Sequence, residues 1–351
     1  MHDFCELREI AMFEKQIKIP EPEEIVSALP MPDELKKVKA ERDKLIFDVI
    51  SGKSEKLLII VGPCSAHEAE PVLDYVERLG RLNEKVKDKL VLVPRIYANK
   101  PRTKGVGYMG MFSQPDPHKS EDVLKGIFAI RELNIKAIAS SGLTAADEML
   151  YPANIPYFED LLSYIVVGAR SAENQLHRLV ASGLDVPVGI KNPTNGSLPV
   201  LLNSIFAAQS KQVFKLNSWQ VKTHGNQLAH AVLRGYSDYY GNDTPNFHYE
   251  TVMKIAESYA QLGLANPAII IDANHSNSGK KFKQQIRICQ EVMHNRVFDN
   301  DFKKIVKGFM IESFIEEGNQ PDDVVYGKSI TDPCLGWCDT ERLLLDIAEK
   351  V

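Results

Sequence analysis

The chain has 351 residues, of which 44% are hydrophobic and 25% charged, and its formal net charge is −5. That composition suits one large barrel or two average domains and gives no global electrostatic case for binding nucleic acid. The longest apolar runs are about six residues against the ~20 a membrane helix needs, and five cysteines are too few, and odd in number, for a disulfide scaffold, so the expectation is a reduced cytoplasmic protein with no membrane partner.

Residues 1–31 carry Pro20, Pro22 and Pro30 and show no sustained period. From Asp33 to Ile50, apolar residues follow helical spacing, and Gly52 is placed to stop the helix. Residues 1–55 therefore read as an N-terminal extension and helix, serving as an oligomer arm. The run Leu57–Val61 then reads as a buried strand stopped by Gly62 and Pro63, with Cys64, Ser65 and His67 directly after it.

A helix is predicted from Glu70 to Val86, and then the alternation repeats. Further strands are predicted at Leu90–Ile96, Ala137–Ala139, Tyr164–Val167, Val186–Ile190, Ala229–Leu233, Ala268–Ile271 and Gly308–Ile311. Helix-like segments such as Asp122–Leu133 and Glu250–Leu262 separate most of them. Continuous apolar strands alternating with helices imply a parallel sheet covered on both faces. Eight units over roughly 290 residues match a (β/α)8 barrel, an α/β fold, better than an open sheet. Gln212–Leu216 with Ser218–Lys222 reads as an extra hairpin before the sixth strand. No repeat or linker divides residues 56–351, which read as one barrel domain.

Nearly every predicted strand leads into a charged or coordinating residue. The first leads to Cys64, and the second to Arg95 with Lys100 and Arg102 beyond. Glu148 follows the third; Arg170, Lys191 and Arg234 end the fourth to sixth; Asp272 with His275 and Glu312 end the last two. In a parallel barrel these ends share one face. Arg95, Lys100, Arg102, Arg170, Lys191 and Arg234 would repel one another there unless anions bind, so phosphorylated substrates are expected. Cys64, His275, Glu312 and a late carboxylate, with Asp332 the candidate, form a mixed S/N/O set. Such a set suits one divalent ion such as Mn²⁺, Fe²⁺, Co²⁺ or Zn²⁺.

Two motifs are set aside. Gly105-Val106-Gly107-Tyr108-Met109-Gly110 matches G-x-G-x-x-G but lies in no strand-to-helix turn. Cys334 and Cys338 lack the second Cys/His pair of a zinc knuckle, although Cys334 could lie near Cys64.

Taken together, Gly62-Pro63-Cys64-Ser65, Lys100-Pro101-Arg102-Thr103, Gly168-Ala169-Arg170, Pro187-Val188-Gly189-Ile190-Lys191-Asn192, Leu233-Arg234-Gly235, Ile311-Glu312-Ser313 and Tyr326-Gly327-Lys328-Ser329-Ile330-Thr331-Asp332 form a specific pattern. The chain resembles the class I 3-deoxy-D-arabino-heptulosonate-7-phosphate (DAHP) synthases from about residue 57 to 345. The resemblance implies a (β/α)8 barrel that condenses phosphoenolpyruvate with D-erythrose 4-phosphate, the first step of the shikimate pathway. It implies Cys64, His275, Glu312 and Asp332 as metal ligands, and Arg95, Lys100, Glu148, Arg170, Lys191 and Arg234 around phosphoenolpyruvate. It implies Arg102 and Thr103 for erythrose 4-phosphate, and assembly as a homodimer or homotetramer. Lys100 is the expected catalytic proton donor, its pKa lowered by the cations around it.

The pattern also departs from well-studied members. The loop after Thr103 is one residue longer, and the metal histidine sits in Asp272-Ala273-Asn274-His275 rather than Asp-x-Ser-His. Amino-acid-sensitive members often carry Phe-Leu-Asp and Ser where this chain has Met149-Leu150-Tyr151 and Asp185. A buried Asp185 would oppose an aromatic ring, so no effector is assigned. Competing readings are a sibling synthase making an eight-carbon sugar acid, a metal-dependent phosphosugar aldolase and a non-catalytic effector-binding barrel. The Lys100–Thr103 motif and the number of cations favour the DAHP synthase reading.

Overall fold

A computed structural model of the protein describes residues 13–100, 107–321 and 324–351. Its centre is a sheet of eight parallel strands: β1 (Leu57–Gly62), β2 (Leu90–Pro94), β3 (Ala145–Glu148), β4 (Leu162–Val167), β5 (Val188–Lys191), β6 (His230–Leu233), β7 (Ile269–Asp272) and β8 (Val306–Glu312). They pair in the order β2-β1-β8-β7-β6-β5-β4-β3. A parallel bridge from Arg95 to Ala146, with Ile96 N donating to Ala146 O over 3.0 Å, joins the two ends and closes the barrel.

The strands are apolar on both faces because both are covered. Leu57, Ile59 and Val61 of β1 pack outward with Val72, Val76 and Leu79 of α3 (Ala69–Val86). Leu58 and Ile60 point into the barrel with Val91, Val93 and Met310. Ile46, Val49 and Ile50 of α2 (Asp33–Ile50) join this inner layer. Full burial of each such side chain contributes roughly 1.5–3 kcal/mol.

Of the other elements, α4 (Val123–Ser141) and the helices Tyr249–Gln261 and Gln284–Phe298 flank the sheet, and α1 (Pro22–Ala28) lies in the extension. The hairpin is present as Val213–Leu216 paired antiparallel with Trp219–Lys222. Arg131 of α4 ties the extension down. Its Nη2 donates to Leu29 O over 2.9 Å and its Nη1 to Asp160 Oδ1 over 2.7 Å. Tyr157 Oη donates to Pro20 O over 2.8 Å.

One strand lies elsewhere than predicted. Ala137–Ala139 belongs to α4, and the third strand is Ala145–Glu148. Ile127, Ile130, Leu133, Ala137 and Ile138 are all buried at helical spacing, so the helix runs on until Gly142 stops it at φ 68°. A short apolar run cannot be separated from a buried helix by content alone. The true strand, Ala-Ala-Asp-Glu, has no β-branched residue and two carboxylates.

Candidate active site

The register of the barrel assembles the site. Gly62 pairs with Glu312, which brings the Cys64 turn beside the end of β8. The backbone of Glu312 is held from both sides by the Gln285 side chain, over 2.8 and 2.9 Å. Its carboxylate accepts from Arg95 Nη2 at 3.0 Å and from Asn274 Nδ2 at 2.5 Å. Arg95 is buried and stacks over the Tyr97 ring at 4.1 Å.

His275 follows β7 in the left-handed region at φ 50°, a strained conformation for a residue with a side chain. Its Nδ1 shares a hydrogen bond of 3.0 Å with Asp272 Oδ1, and its Nε2 lies 3.8 Å from Glu312 Oε1. Asp272 also pairs with Lys191 Nζ at 3.1 Å. Burial pushes the Asp272 carboxyl up, but His275 and Lys191 outweigh it and hold it well below the usual range.

Asp332 arrives from the loop after β8. Leu335 N donates to Glu312 O over 2.9 Å, and Cys334 and Gly318 exchange backbone hydrogen bonds, which fold this loop back over the barrel mouth. There the Cys64 thiol donates to Asp332 Oδ2 over 3.2 Å. Lys100 Nζ lies 2.6 Å from Cys64 Sγ and 3.0 Å from Asp332 Oδ2. Burial and the nearby Glu312 charge push the Cys64 thiol up to about 11. Burial lowers Lys100, yet Cys64, Asp332 and Glu312 outweigh it and raise its pKa. The nearest groups around Lys100 are thus Cys64 and Asp332, not the other cations.

These groups share one cavity of about 280 Å³. Arg95, Lys100, Arg170, Lys191 and Arg234 all line it, as do Glu148, Cys64, His275, Glu312 and Asp332. Glu148 ends β3 and packs against Gly168, where a Cβ would stand 2.2 Å from its Oε1. Arg102 and Thr103 lie outside the described residues. Arg95 keeps two buried nitrogens, Nε and Nη1, without a hydrogen-bond partner among the described residues.

Cys64, Glu312 and Asp332 each bring one ligand atom within 4.8 Å of the others. His275 borders that cluster through Glu312, with its Nδ1 already taken by a carboxylate, the arrangement that commonly orients a metal-binding imidazole. The donor set, with an ammonium already seated among it, fits a divalent transition metal.

Sequence reasoning passed over several residues. Asn274 braces Glu312, Asp147 Oδ1 accepts from Ala98 N at 3.1 Å and Glu148 N at 2.7 Å, and Asn99 and Lys280 line the cavity. Their signal was adjacency: each lies near a strand end already singled out. Asp185 is exposed, so the concern over a buried carboxylate does not arise. Cys334 is buried and free; Cys64 is also free.

The sequence profile of the DAHP synthetase I family matches residues 30–345. The chain belongs to this family. Among the family's members, it is 39% identical over 317 residues to the Trp-sensitive phospho-2-dehydro-3-deoxyheptonate aldolase of Enterobacter agglomerans, covering 88% of each chain. It is 36% identical over 348 residues to the Phe-sensitive enzyme of Escherichia coli K12, covering 96% of each. The solved phospho-2-dehydro-3-deoxyheptonate aldolase of Francisella tularensis SCHU S4 superposes with a TM-score of 0.89 at 30% identity, covering 97% of this chain and 98% of that one. The (β/α)8 barrel is thus the fold of this DAHP synthetase I family member.

Proposed function

We propose that the cation-lined cavity binds phosphoenolpyruvate beside D-erythrose 4-phosphate, and that Cys64, His275, Glu312 and Asp332 hold one divalent ion. The activity itself follows from the family. This chain is a DAHP synthase, which joins the two substrates, releases phosphate and opens the shikimate pathway. The observation that carries the residue assignment is the meeting of six cations, Lys280 among them, with the Cys64–Glu312–Asp332 cluster in one cavity.

In this reading Arg95, Arg170, Lys191 and Arg234 hold the phosphate and carboxylate of phosphoenolpyruvate. The unpartnered Nε and Nη1 of Arg95 suit an anion with oxygens in a guanidinium plane. Carbon 3 of phosphoenolpyruvate attacks the aldehyde carbon of erythrose 4-phosphate. A divalent ion, when bound, supplies Lewis-acid polarisation of that carbonyl. Lys100, protonated at working pH, gives its proton to the oxygen as it becomes an alkoxide. Water adds at carbon 2, and the C–O bond to phosphate breaks so that phosphate leaves with the bridging oxygen. Arg102 and Thr103 are proposed for the aldose phosphate on resemblance alone.

The ion is proposed to be Mn²⁺, Fe²⁺, Co²⁺ or Zn²⁺. A homodimer or homotetramer is proposed, with residues 1–55 as the arm and 56–351 as the catalytic barrel; the exposed Phe13 and Ile17 support this. Free Cys64, Cys289, Cys334 and Cys338 support a reducing, cytoplasmic setting. Among the described residues no helix is long and apolar enough to cross a membrane.

The test is turnover of phosphoenolpyruvate with erythrose 4-phosphate and, in parallel, with arabinose 5-phosphate. Turnover of the four-carbon aldose alone supports the assignment. A preference for the five-carbon aldose would reassign the site to an eight-carbon synthase.

A further inference from the structure

Three buried asparagines sit beside residues that line the cavity without lining it themselves. Asn192 follows Lys191 at the end of β5, and Asn277 closes the turn that begins at His275. Asn246 lies beyond a short hairpin in which Tyr236–Ser237 pairs antiparallel with Asp243–Thr244, and this hairpin returns the chain to Gly235.

Their hydrogen bonds converge on the Arg234–Gly235 turn. Arg234 N donates to Asn192 Oδ1 over 2.9 Å, and Gly235 N donates to Asn246 Oδ1 over 2.7 Å. Asn192 Nδ2 donates to Gly235 O over 2.9 Å, and Asn246 Nδ2 donates to Asn192 Oδ1 over 3.1 Å. Asn246 N donates in turn to Asn277 Oδ1 over 2.8 Å. Backbone N–H groups only donate and carbonyls only accept, so these partners fix the orientation of each amide. Asn246 therefore joins the loops that follow β5, β6 and β7.

The turn held in this way carries a cation that no carboxylate places. Arg95 pairs with Glu312, Lys100 with Asp332 and Lys191 with Asp272. Arg234 is buried and lines the same cavity, yet it makes no ion pair among the described residues. Its position depends on its backbone. Gly235 leaves that backbone little room, since at φ 72° a Cβ there would stand 2.5 Å from Asn277 N.

Resting on the phosphoenolpyruvate pocket proposed above, we infer that Asn246 is a positioning residue. By tying the Arg234–Gly235 turn to Asn192 and Asn277, it sets the Arg234 guanidinium where the anion of phosphoenolpyruvate binds. A binding group displaced by about 1 Å can cost about 10²-fold.

The test compares steady-state kinetics of wild type, Asn246→Ala, Asn246→Asp, Arg234→Ala and Asn226→Ala with Mn²⁺ present and each substrate varied. Asn226 is the matched control. It is also a buried asparagine, and it bonds Val186 O and Leu228 N over 2.9 and 3.0 Å just before β5 and β6 begin, at the end of the barrel opposite the mouth. In Asn246→Ala, KM for phosphoenolpyruvate rises about 10- to 100-fold, while kcat and KM for erythrose 4-phosphate stay within about threefold. Asn246→Asp keeps the shape and the acceptor for Gly235 N but loses the donor to Asn192, so it raises the same constant about three- to tenfold. This variant decides if Asn246→Ala fails to fold. In Asn226→Ala, both KM values stay within about twofold, whatever its melting temperature. An unchanged KM for phosphoenolpyruvate in the Asn246 variants, an equal rise in both KM values, or the same rise in Asn226→Ala would each overturn the role of Asn246. An unchanged KM for phosphoenolpyruvate in Arg234→Ala would instead overturn the proposed pocket, and wild type that does not turn over the two substrates would overturn the proposed function.

Discussion

Lys100 Nζ lies 2.6 Å from Cys64 Sγ, so the ammonium stands against the thiol at the edge of the ligand cluster. The pair joins the two halves of the chemistry. In the proposed reading Cys64 is one of the metal donors, and Lys100 is one of the cations that receive substrate oxygens. Burial lowers the Lys100 pKa, and Cys64, Asp332 and Glu312 raise it by more.

Lys100→Met is therefore expected to lower kcat by about 10²- to 10⁴-fold. Metal content should persist, because the variant keeps every proposed ligand. Steady-state kinetics with metal analysis of the same sample checks this. Near-normal turnover with metal bound would remove Lys100 from the mechanism.

Chelation is expected to abolish turnover, and Mn²⁺ add-back to restore it. Asp272→Asn should weaken metal affinity about 10- to 100-fold without removing a ligand, since Asp272 orients the imidazole of His275. Metal titration followed by activity and by direct binding reads both effects. Metal-independent turnover would contradict the proposed role of Cys64.

Stability should fall on acidification through a residue far from the chemistry. His230 is buried, shares a hydrogen bond of 2.8 Å with Tyr164 Oη, and is lowered by burial to about 4. Below its unfolded pKa of about 6.5 the unfolded chain takes up a proton that the folded chain refuses. The contribution is thus fully present above pH ~6.5 and is lost as pH falls toward ~4, by up to ~3 kcal/mol. Denaturant melts across this range check it, and His230→Asn should flatten the slope.

Arg131→Ala should destabilise the fold by roughly 3 kcal/mol or more, because it leaves Asp160 and Leu29 O without their partner. Cleavage of the extension near Leu29 by limited proteolysis should accelerate in step with the lower melting temperature. An unchanged cleavage rate would show that Arg131 does not hold the extension.

Much of this protein was legible one residue at a time. Seven of the eight strands lie where continuous apolar runs put them, because a strand covered on both faces has no polar positions to interrupt it. Cys64, Arg95, Lys191, Arg234 and Glu312 could be singled out because they lie within or shortly after such runs. β3 escaped because Ala145-Ala146-Asp147-Glu148 is held by its neighbours in the barrel and not by its own propensity.

Sequence alone determined the alternation of strands and helices, the set of charges at strand ends and, through its motifs, the family. Only the tertiary structure decided which charges face one another. Lys100 is flanked by Cys64 and Asp332, 36 and 232 residues away along the chain. Hydrogen-bond satisfaction and electrostatic sign depend on distances of a few ångströms between residues remote in the chain, and the closed barrel sets those distances.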